Sequence, residues 1–261
     1  MDTRKKIIAI VGETGSGKDT FAKHLSEIDP DKFRAVVSYT NRPKRDNETE
    51  GVEHYFLSKA EFAAKKNVER KNIVAYTKIA SEKNKDGYEY MATFDELNKS
   101  GIYIIDPNGL DYLKGHFGDK IDVVSIYIYC PFSQRKERAK MRSDYSTEFT
   151  KRCWNEKAQF DHFYRHKKFD YIIYNFNGLL EESFKTIESI VDYEIYDRYI
   201  ESEYTTVLGA EYSKKDILNA VSFLTTISEF YKNQYIKDSS LIRYSDKNTN
   251  LIRNILLSHL R

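Results

Sequence analysis

A nine-residue segment near the start of the chain has the types and spacing of a phosphate-binding loop. Residues 12–20 read Gly-Glu-Thr-Gly-Ser-Gly-Lys-Asp-Thr, and an apolar run from Ile7 to Val11 precedes them. Such glycines let backbone N–H groups turn inward around a polyphosphate, and the following helix N-terminus adds partial positive charge. Lys18 is expected to reach the outer phosphates. Asp19 stands where this pattern usually has a hydroxyl, and Thr20 follows it. The predicted nucleotide-binding residues here are Gly12, Thr14, Gly15, Ser16, Gly17, Lys18, Asp19 and Thr20.

A second polar segment has the composition of an anion pocket. Residues 38–45 read Ser-Tyr-Thr-Asn-Arg-Pro-Lys-Arg, with Glu48 and the triplet 54–56, His-Tyr-Phe, shortly after them. Arg42 and Arg45 can converge on one phosphate, because planar guanidinium groups form bidentate, charge-assisted hydrogen bonds. A solvated basic turn is the alternative interpretation, and the phosphate-binding loop upstream favours the pocket.

The elements that must position these residues alternate between strand and helix patterns over the first ~190 residues, which predicts an α/β fold with a parallel sheet wrapped by helices. Residues 38–93 interrupt the alternation and read as an inserted lobe, with a capping box at Ser58 and Glu61 that predicts a helix start. The predicted strands are Lys6–Val11, Phe33–Val37, Ile102–Ile105, Val123–Tyr129 and Tyr171–Tyr174, with Glu53–Leu57 and Ile73–Ile79 in the lobe. The predicted helices are Asp19–Ile28, Leu110–Phe117, Pro131–Met141 and Ser146–His166.

Bulk properties exclude several classes of protein. The 261 residues carry a net charge of +2, with 40% hydrophobic and 31% charged residues, as expected of a globular protein and not of a polyanion binder. Two cysteines, Cys130 and Cys153, are too few for a disulfide framework. The apolar run after the N-terminus is too short for a signal peptide or a membrane span. We expect a cytoplasmic protein that binds neither nucleic acid nor membrane.

The composition changes after residue ~192. A capping-box pattern, Ser213 to Asp216, opens an amphipathic helix, and a second amphipathic piece closes the chain. Residues 192–261 are therefore predicted to form a helical C-terminal extension. Its apolar face is expected to pack on the rest of the chain, to form a homodimer, or to bind a partner.

These features together resemble the guanylate kinase family, a branch of the P-loop nucleoside monophosphate kinases, over about residues 5–191. The resemblance rests on residues 12–20, 38–56, 106–109 and the arginine-bearing stretch 135–152. It implies a P-loop kinase core in residues 1–191, with a monophosphate-binding lobe at 38–93 and a lid at about 138–152. The implied reaction transfers the γ-phosphoryl group of ATP to GMP or dGMP with Mg²⁺.

The resemblance also implies roles for single residues. The acceptor would be held by Ser38, Arg42, Arg45, Glu48, His54, Tyr55, Tyr90 and Asp106, with Glu48 orienting the arginines and with Ser38 and Asp106 near guanine. His54 falls where the family has a phosphate-binding tyrosine, and Tyr55 lies beside it. Of the four arginines 135, 138, 142 and 152, the last three align with those that grip the transferring phosphoryl group, so the implied catalytic residues are Lys18, Arg138, Arg142 and Arg152. Asn175 would contact adenine, and Asp19 or Thr20 would help to hold Mg²⁺ unless the metal sits mainly on phosphates.

Two departures from the family bear on the acceptor base. Ala75 stands where the family has a base-reading glutamate, and Ala92 stands where it has a hydroxyl that faces guanine. Glu82 is the possible replacement for the missing carboxylate. Three alternatives stay open: another deoxynucleoside monophosphate as acceptor, ribose 1,5-bisphosphate as acceptor, or a binding module of this fold without catalysis.

Overall fold

The computed structural model describes residues 4–46, 48–81, 84–141, 147–166 and 168–196, together with Lys215 and Asn219. The elements follow one another as β1 (Lys5–Val11), α1 (Lys18–Ile28), β2 (Ser38–Thr40), β3 (His54–Phe56), α2 (Lys59–Val68), β4 (Ile73–Ser81), β5 (Asn84–Thr93), α3 (Phe94–Asn98), β6 (Ile102–Ile104), α4 (Pro107–Phe117), β7 (Ile121–Tyr129), α5 (Phe132–Met141), α6 (Thr147–Arg165), β8 (Tyr171–Tyr174) and α7 (Leu180–Glu194). Two compact units share them. One contains residues before Gly12 and residues 22–124, and the other contains residues 12–21 and those after 124.

The predicted parallel sheet is present, with strand order β6-β1-β7-β8. Strand β1 pairs in parallel with β6, Ile8 opposite Ile102, and β7 pairs in parallel with β8, Ile126 opposite Tyr171. Residues Ile7 to Val11 are completely buried. Continuous apolar runs suit such strands, because helices cover a parallel sheet on both faces.

The inserted lobe contains a second, mixed sheet with order β3-β2-β5-β4. Strands β2 and β3 are parallel, while β5 runs antiparallel to both β2 and β4. Helix α2 begins at the predicted capping box, in which Ser58 accepts from the Glu61 N–H and the Glu61 carboxylate accepts from the Ser58 N–H. Phe62 of this helix is fully buried.

Two elements differ from the sequence-based expectations. Residues 33–37 do not form the predicted strand, since only Ala35 makes a single bridge, to Ile102. Strand β5 was not predicted, because its first residues, Asn-Lys-Asp-Gly, have the composition of a turn. Its pairing with β4, from Ile73 opposite Thr93 to Ser81 opposite Asn84, overrides that local preference.

Two residues of the predicted extension contact the edge strand β8. The side-chain amide of Asn219 accepts from the Ile172 N–H at 3.1 Å and donates to the Asp170 carbonyl at 3.1 Å. Lys215 binds the Asp170 carboxylate, which also accepts from the N–H and hydroxyl of Ser125. The Asn219 contacts satisfy backbone groups that an edge strand otherwise leaves open. The helices predicted for the rest of residues 192–261 lie outside the described residues.

None of the helices in the described ranges has the length and apolar character needed to cross a bilayer.

Candidate functional site

The phosphate-binding loop connects β1 to α1 as predicted, and two of its glycines have left-handed backbone conformations. Gly15 has φ +80° and Gly17 has φ +97°, a region that residues with a Cβ rarely adopt. A Cβ on Gly17 would lie 2.5 Å from the Asn175 side-chain nitrogen, so the close approach also requires glycine here. Helix α1 begins at Lys18, directly after this turn.

The turn leaves several loop amides open to an anion. No described residue accepts a hydrogen bond from the backbone N–H groups of Gly15, Gly17, Lys18 or Asp19. Lys18 is half-buried, and the hydroxyl of the completely buried Ser16 makes no hydrogen bond in the described part of the chain. Thr14 differs, because its N–H and hydroxyl donate to Glu156. Grouped N–H donors at a helix N-terminus form a site for phosphate.

Arg138 and Asn175 lie against this loop. The buried Asn175 side chain donates to the Ser16 carbonyl at 2.8 Å, and Arg138 donates to the Asn175 carbonyl at 2.8 Å and to Asn177 at 2.7 Å. Asn175, for which adenine contact is predicted, thus has a direct hydrogen bond to the loop backbone. Arg152 is exposed on α6. Arg142 and residues 143–146 of the predicted lid lie outside the described residues.

Three residues around the loop were not predicted as part of the site: Glu13, Arg135 and Glu156. Arg135 binds the Glu13 carboxylate and the Thr14 carbonyl, and Glu156 binds Thr14. In the sequence, Arg135 is one of four nearby arginines and nothing distinguishes it. In the structure, burial distinguishes Arg135, because only 4% of the residue is exposed.

The inserted lobe contains a second cluster of charged and polar side chains, built around Arg42. Both terminal nitrogens of Arg42 donate to the Glu48 carboxylate at 2.8 Å, and its Nε donates to the Tyr90 hydroxyl at 3.2 Å. Glu48 also accepts from the Arg45 N–H at 2.8 Å, while the Arg45 side chain is exposed. The Arg42 hydrogen bonds lower the pKa of Glu48 to about 2, so the carboxylate stays ionised and holds the guanidinium in place.

The register of β3 shows which of two residues, His54 or Tyr55, lies near Arg42, where the family has a phosphate-binding tyrosine. Ser38 lies opposite His54 and binds its ring nitrogen at 2.8 Å, and the His54 ring contacts that of Tyr90 at 5.5 Å between centroids. Tyr55 lies on the other face, stacked on Tyr39 at 4.8 Å. Since successive strand residues alternate in direction, His54 joins the Arg42 cluster and Tyr55 does not. Burial, followed by the charge of Arg42, lowers the pKa of His54.

Residues predicted to lie near the acceptor base occur on strands β4 and β5 and at the start of helix α4. Ala75 and Ala92 face each other across β4 and β5, on the same side of the sheet as Tyr90. Both departures from the family pattern therefore fall at one point in the lobe. Asp106 caps α4 and accepts from the Gly109 N–H at 3.0 Å, leaving its side chain exposed. Glu82 lies outside the described residues.

The donor set at the loop suits Mg²⁺ bound chiefly through phosphates. Asp19 and Thr20 are both exposed in the first turn of α1 and offer oxygen ligands. Among the described residues, no cluster of three or more His, Cys, Asp or Glu side chains could hold a metal. Mg²⁺ commonly binds one or two protein oxygens, substrate phosphates and water, so these residues fit that mode.

Comparison with known proteins identifies the family to which this chain belongs. Residues 4–194 match the family described as guanylate kinase. The guanylate kinase of Agrobacterium fabrum is 29% identical over 193 residues, covering 73% of this chain and 83% of the relative. That of Chlamydia felis is 30% identical over 192 residues, covering 71% and 86%, and that of Schizosaccharomyces pombe is 27% identical over 189 residues, covering 71% and 89%. The resemblance seen in the sequence is confirmed, and the chain belongs to the guanylate kinase family.

Proposed function

We propose that this protein transfers the γ-phosphoryl group of ATP to GMP or dGMP, giving ADP and the nucleoside diphosphate. Family membership supports the reaction class, an ATP-dependent nucleoside monophosphate kinase. The observation that carries the proposal for this chain is the Arg42–Glu48 pair, a guanidinium already oriented beside Tyr90 and His54 in the inserted lobe. A phosphate-binding loop alone would fit many nucleotide-binding proteins, whereas this second anion site calls for a second phosphorylated reactant.

On the donor side, the open amides of the loop and Lys18 bind the β- and γ-phosphates of ATP. Arg138, Arg142 and Arg152 neutralise charge on the transferring group. Phosphoryl transfer needs little covalent chemistry from a protein, so alignment of the reactants and charge stabilisation account for most of the acceleration. Mg²⁺, bound on the phosphates with help from Asp19 or Thr20, supplies further positive charge.

On the acceptor side, Arg42, Arg45 and Tyr90 hold the monophosphate, with His54 in place of the family's tyrosine. His54 can donate or accept a hydrogen bond, and its lowered pKa favours the neutral ring. Ser38 and Asp106 contact the base. Because Ala75 and Ala92 offer neither a carboxylate nor a hydroxyl, we expect weaker discrimination for guanine than a site with both groups would give.

The decisive experiment incubates the purified protein with ATP, Mg²⁺ and each common ribo- and deoxyribonucleoside monophosphate in turn, and follows ADP formation. We expect turnover with GMP or dGMP, and a loss of at least ~10²-fold in kcat for Lys18→Ala, since removing one group that stabilises transition-state charge commonly costs that much. Circular dichroism checks that the variant is folded. The proposal would be contradicted if none of the monophosphates in the panel supported ADP formation, or if Lys18→Ala kept full activity.

We also propose a cytoplasmic location, where two free, buried cysteines, Cys130 and Cys153, are compatible with a reducing environment. For the extension, the contacts of Lys215 and Asn219 with Asp170 and Ile172 favour packing on its own chain over homodimer formation. Light scattering of the purified protein tests this choice, because a dimer would have twice the mass of the chain.

A further inference from the structure

A buried arginine lies beneath the phosphate-binding loop and connects it to helix α5. Arg135 donates to the Glu13 carboxylate at 2.7 Å, to the Thr14 carbonyl at 3.0 Å and to the Cys130 carbonyl at 3.0 Å. Its Nη1 also lies 3.7 Å from the Glu156 carboxylate. The side chain is only 5% exposed, so nearly all of its donors depend on these protein partners.

Glu156 makes the corresponding connection from helix α6. Its two carboxylate oxygens accept from the Thr14 N–H at 2.7 Å and from the Thr14 hydroxyl at 2.9 Å. With its carbonyl bound by Arg135, Thr14 has all of its polar groups engaged by the protein. This loop residue is therefore fixed from two sides, while the amides of Gly15, Gly17, Lys18 and Asp19 stay open.

The two helices that hold the loop are also those that carry predicted phosphate-binding arginines. Arg138 follows Arg135 by three residues on α5, and Arg152 precedes Glu156 by four residues on α6. Residues three or four apart lie on the same face of a helix. A shift of α5 or α6 would therefore displace Arg138 or Arg152 and, at the same time, break contacts that hold the loop.

We infer that Arg135 and Glu156 are positioning residues for the phosphoryl donor, an inference that rests on the proposed kinase function. They bind no nucleotide themselves. They fix Thr14, and this holds the open amides of the loop in a defined position relative to Arg138 and Arg152. Binding of ATP then needs no ordering of the loop, and preorganisation of this kind increases affinity because the ordering cost has already been met.

Packing around the arginine supports the same role. A Cβ on Gly15 would lie 3.4 Å from the Cβ of Arg135 and 3.3 Å from the Phe149 ring, so the loop rests directly on α5 and α6. Burial also raises the pKa of Glu13, which is compatible with a carboxylate that is enclosed by the loop and shares one guanidinium with Glu156.

The test measures the Kd of ATP with Mg²⁺ by calorimetry, without any acceptor, for Glu156→Ala and Glu156→Gln. We expect Glu156→Ala to raise this Kd roughly 10-fold or more, because Thr14 loses two hydrogen bonds to a charged group. Glu156→Gln keeps an oxygen for the Thr14 N–H and should recover most of the affinity. The KM for GMP should change less than twofold in both variants.

Two further variants keep the test decisive. Lys157→Ala breaks an exposed ion pair with Asp161 on the same helix and should leave the Kd of ATP unchanged. Thr14→Val removes only the hydroxyl contact and should raise this Kd about 3-fold, which covers the case in which Glu156→Ala does not fold. A folded Glu156→Ala or Thr14→Val variant with unchanged Kd for ATP would overturn the inference. Since no acceptor is used in the titration, this result stands apart from failure of the GMP kinase assay.

Discussion

The inserted lobe contains one arginine–glutamate pair, and a second pair joins the phosphate-binding loop to helix α5. The pKa of the glutamate shifts in opposite directions in the two pairs. In the lobe, Glu48 accepts three hydrogen bonds, two from Arg42 and one from the Arg45 N–H, and its pKa is lowered to about 2. Near the loop, Glu13 accepts from Arg135 at 2.7 Å, yet burial raises its pKa. A nearby arginine therefore does not by itself decide the ionisation of a glutamate.

The difference follows from the number of donors and from the neighbouring charges. Hydrogen bonds to the charged form outweigh the cost of desolvation at Glu48. At Glu13 desolvation is the largest effect, and the nearby Glu156 carboxylate adds to it. The pairs also differ in separation along the chain, six residues for Arg42 and Glu48 against 122 for Arg135 and Glu13. One is formed within a turn, and the other depends on how distant elements pack.

The largest effect that separates the two regions is expected from Arg42→Ala. In the proposed function this guanidinium makes charge-assisted hydrogen bonds to the acceptor phosphate, so its loss should lower kcat/KM for GMP at least ~10²-fold. Arg42→Lys keeps the charge but loses the fork and should recover only part of the activity. The Kd of ATP, measured by calorimetry, should stay within twofold. An equal loss of affinity for ATP would show that the two regions do not bind separate reactants.

A matched pair of glycine substitutions sharpens the comparison with a smaller effect. Gly15 in the loop has φ +80°, and Gly51 in the lobe has φ +76°. Alanine at either position should lower the free energy of unfolding by about 1–2 kcal/mol, because a Cβ disfavours the left-handed region. Only Gly15→Ala should also weaken ATP binding, since its Cβ would press on Arg135 and Phe149. Thermal unfolding and ATP titration measure the two effects, and weaker ATP binding in Gly51→Ala would contradict this assignment.

The pH dependence of stability should give the smallest effects, with opposite signs for the two carboxylates. Glu48, with its pKa lowered from 4.5, stabilises the fold above pH 4.5, and this contribution is lost as the pH falls toward 2. Glu13 has a raised pKa, so its contribution is present below pH 4.5 and is lost as the pH rises through that raised pKa. The free energy of unfolding in urea, measured from pH 3 to 7, reports both.

Glu48→Gln should reduce the fall in the free energy of unfolding below pH 4.5. Glu13→Gln should remove the fall in the free energy of unfolding that occurs as the pH rises toward 7. Gln is nearly isosteric with Glu and does not titrate, which makes each variant the control for the other. A change of the same sign in both profiles would contradict the contrast between the two pairs.

Local patterns predicted much of the fold correctly. The apolar runs that form β1, β7 and β8 were found to within about two residues, and the capping box at Ser58 begins α2 as expected. The errors occurred where pairing outweighs local preference. Residues 33–37 have the composition of a strand but form one bridge, whereas the polar start of β5 becomes a strand because β4 pairs with it.

The sequence by itself determined the phosphate-binding loop and the parallel sheet, because each depends on residues that are close together or on a period that one element imposes, and the pairing of Glu48 with Arg42 was implied by the family resemblance. Only the tertiary structure decided that His54 faces Tyr90 while Tyr55 faces Tyr39, since this depends on the register between β2 and β3. It alone brought Glu156 to Thr14 across 142 residues of chain. Packing of separate elements sets such contacts, and a single sequence carries no local pattern that records them.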